Sequence, residues 1–212
     1  MKMGVLGSGM VAQGLSARLA ELGHDVTIGT RQSEKLRGWQ ASNQKVAIGS
    51  FAETAAHGEM LFNATNGQGS MNAFLLAGEA NLAGKVLVDV SNPLDFSNGF
   101  PPSLLVFGTD SLAEQIQRAF PTTRVVKTLN TVTARVMTHP LEVANGDHHV
   151  FVSSDDMDAK MQVMELLRSF GWIHIFDLGD LSTARGTEAY VMLWVRLYGS
   201  MNTGMINIKI MK

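Results

Sequence analysis

Residues 4–14 read Gly-Val-Leu-Gly-Ser-Gly-Met-Val-Ala-Gln-Gly, and this stretch narrows the fold more than any other. The short apolar run Met3 to Leu6 before it has strand character. Val11 to Leu22 carries apolar residues at helical spacing (Val11, Leu15, Leu19 and Leu22). Between strand and helix, Gly7, Gly9 and Ala12 match G-x-G-x-x-G/A, the fingerprint of a dinucleotide-binding βαβ unit in that context. Gly7 permits the tight turn, Gly9 lets the backbone approach a pyrophosphate, and Ala12 lets helix and strand pack closely. The helix N-terminus, from Ser8 through Met10 and Val11, offers unpaired N–H groups and partial positive charge to the phosphates.

Strand and helix patterns alternate through the following residues. Strands are predicted at Val26 to Ile28, Val46 to Ile48, Met60 to Asn63, Val86 to Val90 and Arg124 to Lys127. Helices are predicted at Ser50 to His57, Ser70 to Ala80 and Ser111 to Ala119. This order predicts an α/β fold, a doubly wound, mostly parallel sheet of Rossmann type. After Pro140 the pattern gives a strand at His149 to Val152, a helix at Asp155 to Ser169 and a strand at Trp172 to Phe176. Leu181 to Tyr198 reads as a long apolar helix and Met205 to Ile210 as an alternating strand. We therefore divide the chain into a dinucleotide-binding domain, 1–180, and a small C-terminal helix–strand extension, 181–212. Asn92 to Leu105 is the longest candidate loop, and long loops in such domains are often functional.

Composition excludes several classes. A 45% hydrophobic share supplies a sizeable core, and a net charge of −2 provides no basic field for nucleic acid or acidic membranes. Without cysteine there is no disulfide, thiolate metal site or thiol nucleophile, as in a reducing cytoplasm. No apolar run approaches a membrane span. The pair His148-His149 cannot chelate one ion together, because adjacent strand residues face opposite ways. No metal site is expected.

At the end of the second strand an NAD enzyme keeps an acid for the ribose 2′-hydroxyl, whereas basic and hydroxyl residues accept a 2′-phosphate. Here the chain reads Gly29-Thr30-Arg31-Gln32-Ser33-Glu34-Lys35. Arg31 can grip a phosphate through its planar fork, with hydroxyls from Thr30 and Ser33 and charge from Lys35. Two charge-assisted hydrogen bonds of roughly 1.5–3 kcal/mol each set a preference of about two orders of magnitude or more. NADP is the expected cofactor.

Three polar clusters follow apolar strands: Asn63-Ala64-Thr65-Asn66-Gly67, Asp89-Val90-Ser91-Asn92-Pro93 and Thr128-Leu129-Asn130-Thr131-Val132-Thr133. All should project at the carboxyl edge of the sheet, where ligands bind in this architecture. Thr65 and Asn66 are expected at the cofactor, Asn66 on its ribose or nicotinamide side, and Asn92, Pro93, Asn130 and Val132 beside the nicotinamide.

In these residues the chain resembles the NADP oxidoreductases related to the deazaflavin-dependent (coenzyme F-420) enzyme, a fold shared with the cytoplasmic domain of membrane ferric reductases. The marks are Gly7 to Gly14, Gly29-Thr30-Arg31, Val90 to Leu94 and Lys127 to Thr131, with Ala184 to Glu188, Leu193 to Leu197 and Asn207-Ile208-Lys209 resembling the closing helix and strand. The resemblance implies that Ser8 to Val11 lie on the pyrophosphate and that Thr30, Arg31 and Lys35 hold the 2′-phosphate. It places Asn66, Pro93 and Val132 around ribose and nicotinamide. Two departures change the wall of the acceptor pocket. The family has an Ile-Pro-Trp-type stretch where this chain has Ala64 to Gln68, and a histidine where it has Asn130.

Hydride transfer between planar rings asks the protein mainly to position them and exclude water. The expected activity is an NADP-dependent oxidoreductase with a flavin-like or deazaflavin acceptor. A second reading is reduction of a small carbonyl or imine, polarised by Lys127 or Asn130, although a strand-end lysine is commonly just solvated. A third is a non-catalytic NADPH-binding sensor or partner subunit. The final helix is apolar over most of its circumference, which predicts burial: either the sheet covers one side and a second copy in a homodimer the other, or the pattern is simply core.

Overall fold

The computed structural model describes residues 1–211. Apolar runs form β1 (Lys2–Leu6), β2 (Asp25–Gly29), β3 (Val46–Gly49), β4 (Met60–Asn63) and β5 (Val86–Asp89). Helices α1 (Met10–Glu21), α2 (Arg37–Ala41), α3 (Phe51–His57), α4 (Gly67–Ala77) and α5 (Glu79–Leu82) connect them. A small antiparallel hairpin, β6 (Leu94–Asp95) with β7 (Ser103–Leu104), folds up the long loop. Then come α6 (Leu112–Ala119), β8 (Arg124–Thr128), α7 (Ala134–Thr138), β9 (His149–Ser153), α8 (Met157–Phe170), β10 (His174–Gly179) and α9 (Ala184–Met201).

Eight strands form one sheet in the order β10-β9-β8-β5-β4-β1-β2-β3. Every neighbouring pair is parallel except β8 with β9. Strands buried on both faces read as continuous apolar runs, which is why Val86–Asp89 and Met60–Asn63 are sealed from end to end. One apolar cluster joins α1 and α8 to the sheet, and a second joins α4 and α6 to its other face. Strand order reverses between β1 and β4, and that switch point opens a crevice at the carboxyl ends of the strands.

Local chemistry sets the helix starts. Ser50 and Glu53 make a reciprocal capping box for α3. Asn66 accepts from Gly69 N–H, so α4 begins at Gly67, three residues before the predicted Ser70, and Gly78 ends it before Ala80. Trp172 is not a strand residue. It is buried, with its indole N–H donated to Met137 O at 3.1 Å, and β10 starts at His174.

One further expectation is corrected. Met205 to Ile210 forms no strand; it runs past the start of β9, where His149 N–H reaches Ile208 O at 3.0 Å. α9 buries Val191 and Val195 but leaves Leu193 and Met201 more than half exposed, so within the described residues it is covered on one side and is not simply core. No helix among the described residues is long and apolar enough to cross a membrane.

Candidate functional site

The turn after β1 is shaped by two glycines with different duties. Gly7 has φ +129, and a Cβ there would lie 2.5 Å from Ala64 O, so any side chain would be both strained and in collision. Gly9 caps α1 in an extended conformation, and a Cβ on it would meet nothing within 4 Å. The space above Gly9 is therefore open for a ligand's backbone approach. The first α1 hydrogen bond runs from Gln13 N–H to Gly9 O at 3.0 Å, and no side chain caps the helix. The amides of Met10, Val11 and Ala12 consequently have no intrahelical acceptor and make a ready anion site.

Gly7, Ser8, Gly9, Thr30, Arg31, Lys35, Thr65 and Asn66 line one cavity of about 420 Å³ at this turn. Among its described lining residues the charges are Arg31 and Lys35, and neither has a carboxylate partner. Thr30 Oγ1 accepts Gln32 N–H at 3.0 Å, which holds the turn that presents Arg31. Two bare cations beside an uncapped helix start fit a pyrophosphate and a 2′-phosphate, and so fit NADP. Ser33 does not line this cavity; its hydroxyl lies 3.5 Å from Glu34. Gln32, Phe51 and Asn72 do line it; Gln32 follows Arg31 directly, while only the tertiary placement of α3 and α4 reveals Phe51 and Asn72.

A second cavity of about 1140 Å³ adjoins the first, sharing Ala64, Thr65 and Asn66 as wall. Met10, Val11, Asn92, Asn130 and Val132 line it, as do Leu94 to Ser97 of the hairpin and Val191, Trp194 and Val195 of α9. The α9 contribution is not legible in its sequence, since nothing in its apolar pattern says which side closes a cavity. Ala12 is fully buried in the core, where it packs helix against sheet, and Pro93 lies off both cavities.

A buried polar network runs inward from Thr65 and Ser91 on the cavity walls. Asn63 Nδ2, with two protons to give, lies 2.8 Å from Asp89 Oδ1, 3.0 Å from Ser70 Oγ and 3.1 Å from Ser91 Oγ. Thr65 Oγ1 donates to Asn63 Oδ1 at 2.7 Å. Lys127 completes the network, and it is not solvated. Its side chain is 0% exposed, with Nζ 2.8 Å from both Asp89 Oδ2 and Glu188 Oε1 and 2.7 Å from Ser91 O. Burial by itself would lower this ammonium's pKa, but the two carboxylates and their hydrogen bonds outweigh it and hold the pKa above the ordinary lysine value. With three acceptors taking its three protons and no place on either cavity wall, Lys127 has nothing left to offer a substrate carbonyl. Glu188 also accepts Leu112 N–H at 2.8 Å and Ala113 N–H at 3.1 Å at the start of α6. That carboxylate ties α9 to α6 and β8. It is the single acid of α9, which is its sequence signal.

The two adjacent histidines separate, His148 lying just before β9 and His149 opening it. His148 is buried edge-on against Trp172, ring centroids 5.0 Å apart, whereas His149 stacks on His174 at 5.2 Å. No group of metal-ligating side chains is present among the described residues.

The family model for NADP oxidoreductase, coenzyme F420-dependent, matches residues 2–93. The metalloreductase STEAP3 of Rattus norvegicus is 32% identical over 188 residues, 89% of this chain but 36% of the rat protein, so the chain spans about a third of that relative. The F420-dependent NADP reductase of Methanothermobacter marburgensis is 30% identical over 210 residues, covering 93% of this chain and 92% of that protein. A crystal structure from Arthrobacter sp. FB24, described as a candidate F420-dependent NADP-reductase, superposes with a TM-score of 0.97 at 48% identity, covering 100% of both chains. An imine reductase from Streptomyces aurantiacus, 16% identical with a TM-score of 0.67, shares the fold over 95% of this chain and 64% of its own. The chain belongs to the coenzyme F420-dependent NADP oxidoreductase family.

Proposed function

We propose that this protein transfers hydride between NADP(H) and a flavin-like or deazaflavin acceptor. The observation that carries the proposal is a pair of cavities sharing one wall. The first is cationic and ends at an uncapped helix; the second is larger and mainly apolar. The nicotinamide supplies or takes the hydride. Gly7, Gly9 and α1 hold the phosphates, Arg31 and Lys35 select the 2′-phosphate, and Thr65 and Asn66 border both rings. Val132, Val191 and Trp194 keep water from the place where the rings meet, which is the protein's main contribution to such chemistry.

Reduction of a small carbonyl finds less support, because the protons of Lys127 and of the Asn130 amide are already given to protein acceptors. Residues 1–180 serve as the dinucleotide-binding unit and 181–212 as the segment that closes the acceptor cavity. The exposed Leu193, Tyr198 and Met201 of α9 supply the contact of a homodimer, and the protein works in the cytoplasm. The deciding experiment is NADPH oxidation screened against riboflavin, a deazaflavin and small carbonyls. Turnover that depends on the flavin or deazaflavin supports the proposal, and NADPH binding without turnover on any acceptor makes the protein a sensor. A monomer in sedimentation at micromolar concentration removes the dimer.

A further inference from the structure

The loops after β5 and β8 are stitched together by their asparagines. Asn92 Nδ2 donates to the main-chain oxygen of Asn130 at 2.8 Å. Asn130 Nδ2 donates in turn to Asn92 Oδ1 at 2.9 Å and to the main-chain oxygen of Thr187 at 3.0 Å. Main-chain oxygens only accept, so neither amide can be turned over without losing its bonds. Both protons on the Asn130 nitrogen are thereby spent.

The Oδ1 of Asn130 meets no donor among the described residues, yet it is not one of the buried polar atoms sealed from solvent without a partner. Asn130 is 4% exposed and lines the second cavity, so this oxygen opens there. It is held rigidly by the clamp, in a wall whose neighbours include Val90, Val132, Val191 and Trp194. The charged lining residues are Asp95 and Arg135, and Arg135 is paired with Glu142. β8 lies three strand spacings from β1, about 14 Å across the sheet from the glycine turn. Asn130 is anchored to α9, which walls the second cavity and not the first. The oxygen therefore belongs to the acceptor side.

We infer that Asn130 Oδ1 selects the acceptor by taking a hydrogen bond from a ring imide N–H, the donor that flavin and deazaflavin rings share. This rests on the function proposed above and narrows it. An unpartnered acceptor in a largely apolar wall rewards a ligand N–H and repels a ligand carbonyl oxygen set against it. Acceptors whose ring edge carries only carbonyl oxygens, such as quinones, are disfavoured at this position.

The test compares riboflavin with 3-methylriboflavin, in which the imide N–H is replaced, by quenching of flavin fluorescence on the NADP⁺-loaded protein. The methylated flavin should bind about 10- to 100-fold more weakly. In Asn130→Ala the difference should fall to about twofold or less. The ligand comparison is made on the unaltered protein, so it stands even if the variant does not fold. Equal dissociation constants for the two flavins overturn the inference. If NADPH is still oxidised with riboflavin in that case, the function survives and the role of Asn130 alone is lost. Failure of riboflavin and deazaflavin alike to support any NADPH oxidation overturns the proposed function and this inference with it.

Discussion

Replacing Lys127 by methionine tests the reading of the buried network. Methionine keeps an unbranched chain but deletes the ammonium that faces Asp89 and Glu188 at 2.8 Å each and Ser91 O at 2.7 Å. Asp89 would keep its donors Asn63 and Ser91, and Glu188 would keep two α6 amides. Neither carboxylate would keep a cation. Removing one partner of a buried ion pair costs about 3–5 kcal/mol. In a domain of this size each kcal/mol lowers the melting temperature by about 2–4 °C, so the drop should be roughly 6–20 °C. Differential scanning fluorimetry measures it directly. Neutralising the carboxylates as well, in Lys127→Met/Asp89→Asn/Glu188→Gln, should recover a substantial part of the loss, because two uncompensated charges are gone. Below its lowered melting point Lys127→Met should keep its KM for NADPH, as the residue touches neither cavity. A variant melting within about 2 °C of the parent would refute the buried-cation argument. A well-folded variant that has lost only turnover on small carbonyls would instead restore Lys127 as a catalytic group.

The remaining predictions concern the cofactor side and pH. Arg31→Ala should raise the dissociation constant for NADPH about tenfold, one charge-assisted bond at the lower end of its range, given how exposed Arg31 is. Binding of NADH should not change in titrations of intrinsic fluorescence, and an equal loss for both nucleotides would exclude a 2′-phosphate contact. Gly9→Ala should leave the melting temperature of the free protein within about 1 °C, since its Cβ meets no atom, while weakening NADPH binding about tenfold or more in the same titration. The Lys127 ammonium has a folded pKa above its ordinary 10.5, so its stabilisation is complete below that value. It is lost only as pH rises through the higher folded pKa. Melting curves of the parent should therefore fall steeply in strong alkali, and those of Lys127→Met should lack that component.

How far the sequence could be read depended on the distance over which a residue's role was decided. The turn at Gly7 and Gly9 and the apolar runs of β1, β4 and β5 are local, and the structure has them where the pattern put them. That Arg31 and Lys35 line the first cavity is local in the same way, because they follow the end of β2. The role of Lys127 is not. Its neighbours in the chain are ordinary, and its burial is decided by Asp89 and Glu188, which reach it from another strand and from α9. The alternation at Met205 to Ile210 misled because a strand needs a ladder partner, and β9 already has β8 and β10 on its two sides. The start of α4 was missed because Asn66 serves as a helix cap, a role its place in a polar cluster concealed.

The stretch Ala64 to Asn66 that separates the two cavities limits how the protein can be altered. Changes at Arg31 or Lys35 act on one side of it, and changes at Val191 or Trp194 on the other. With no shared partners, such changes should combine additively, so nucleotide preference and acceptor range can be tuned as independent traits. A substitution at Thr65 or Asn66 enters both compartments at once. It should show epistasis with either set, which makes this short segment the place where any coupling between the two specificities must be carried.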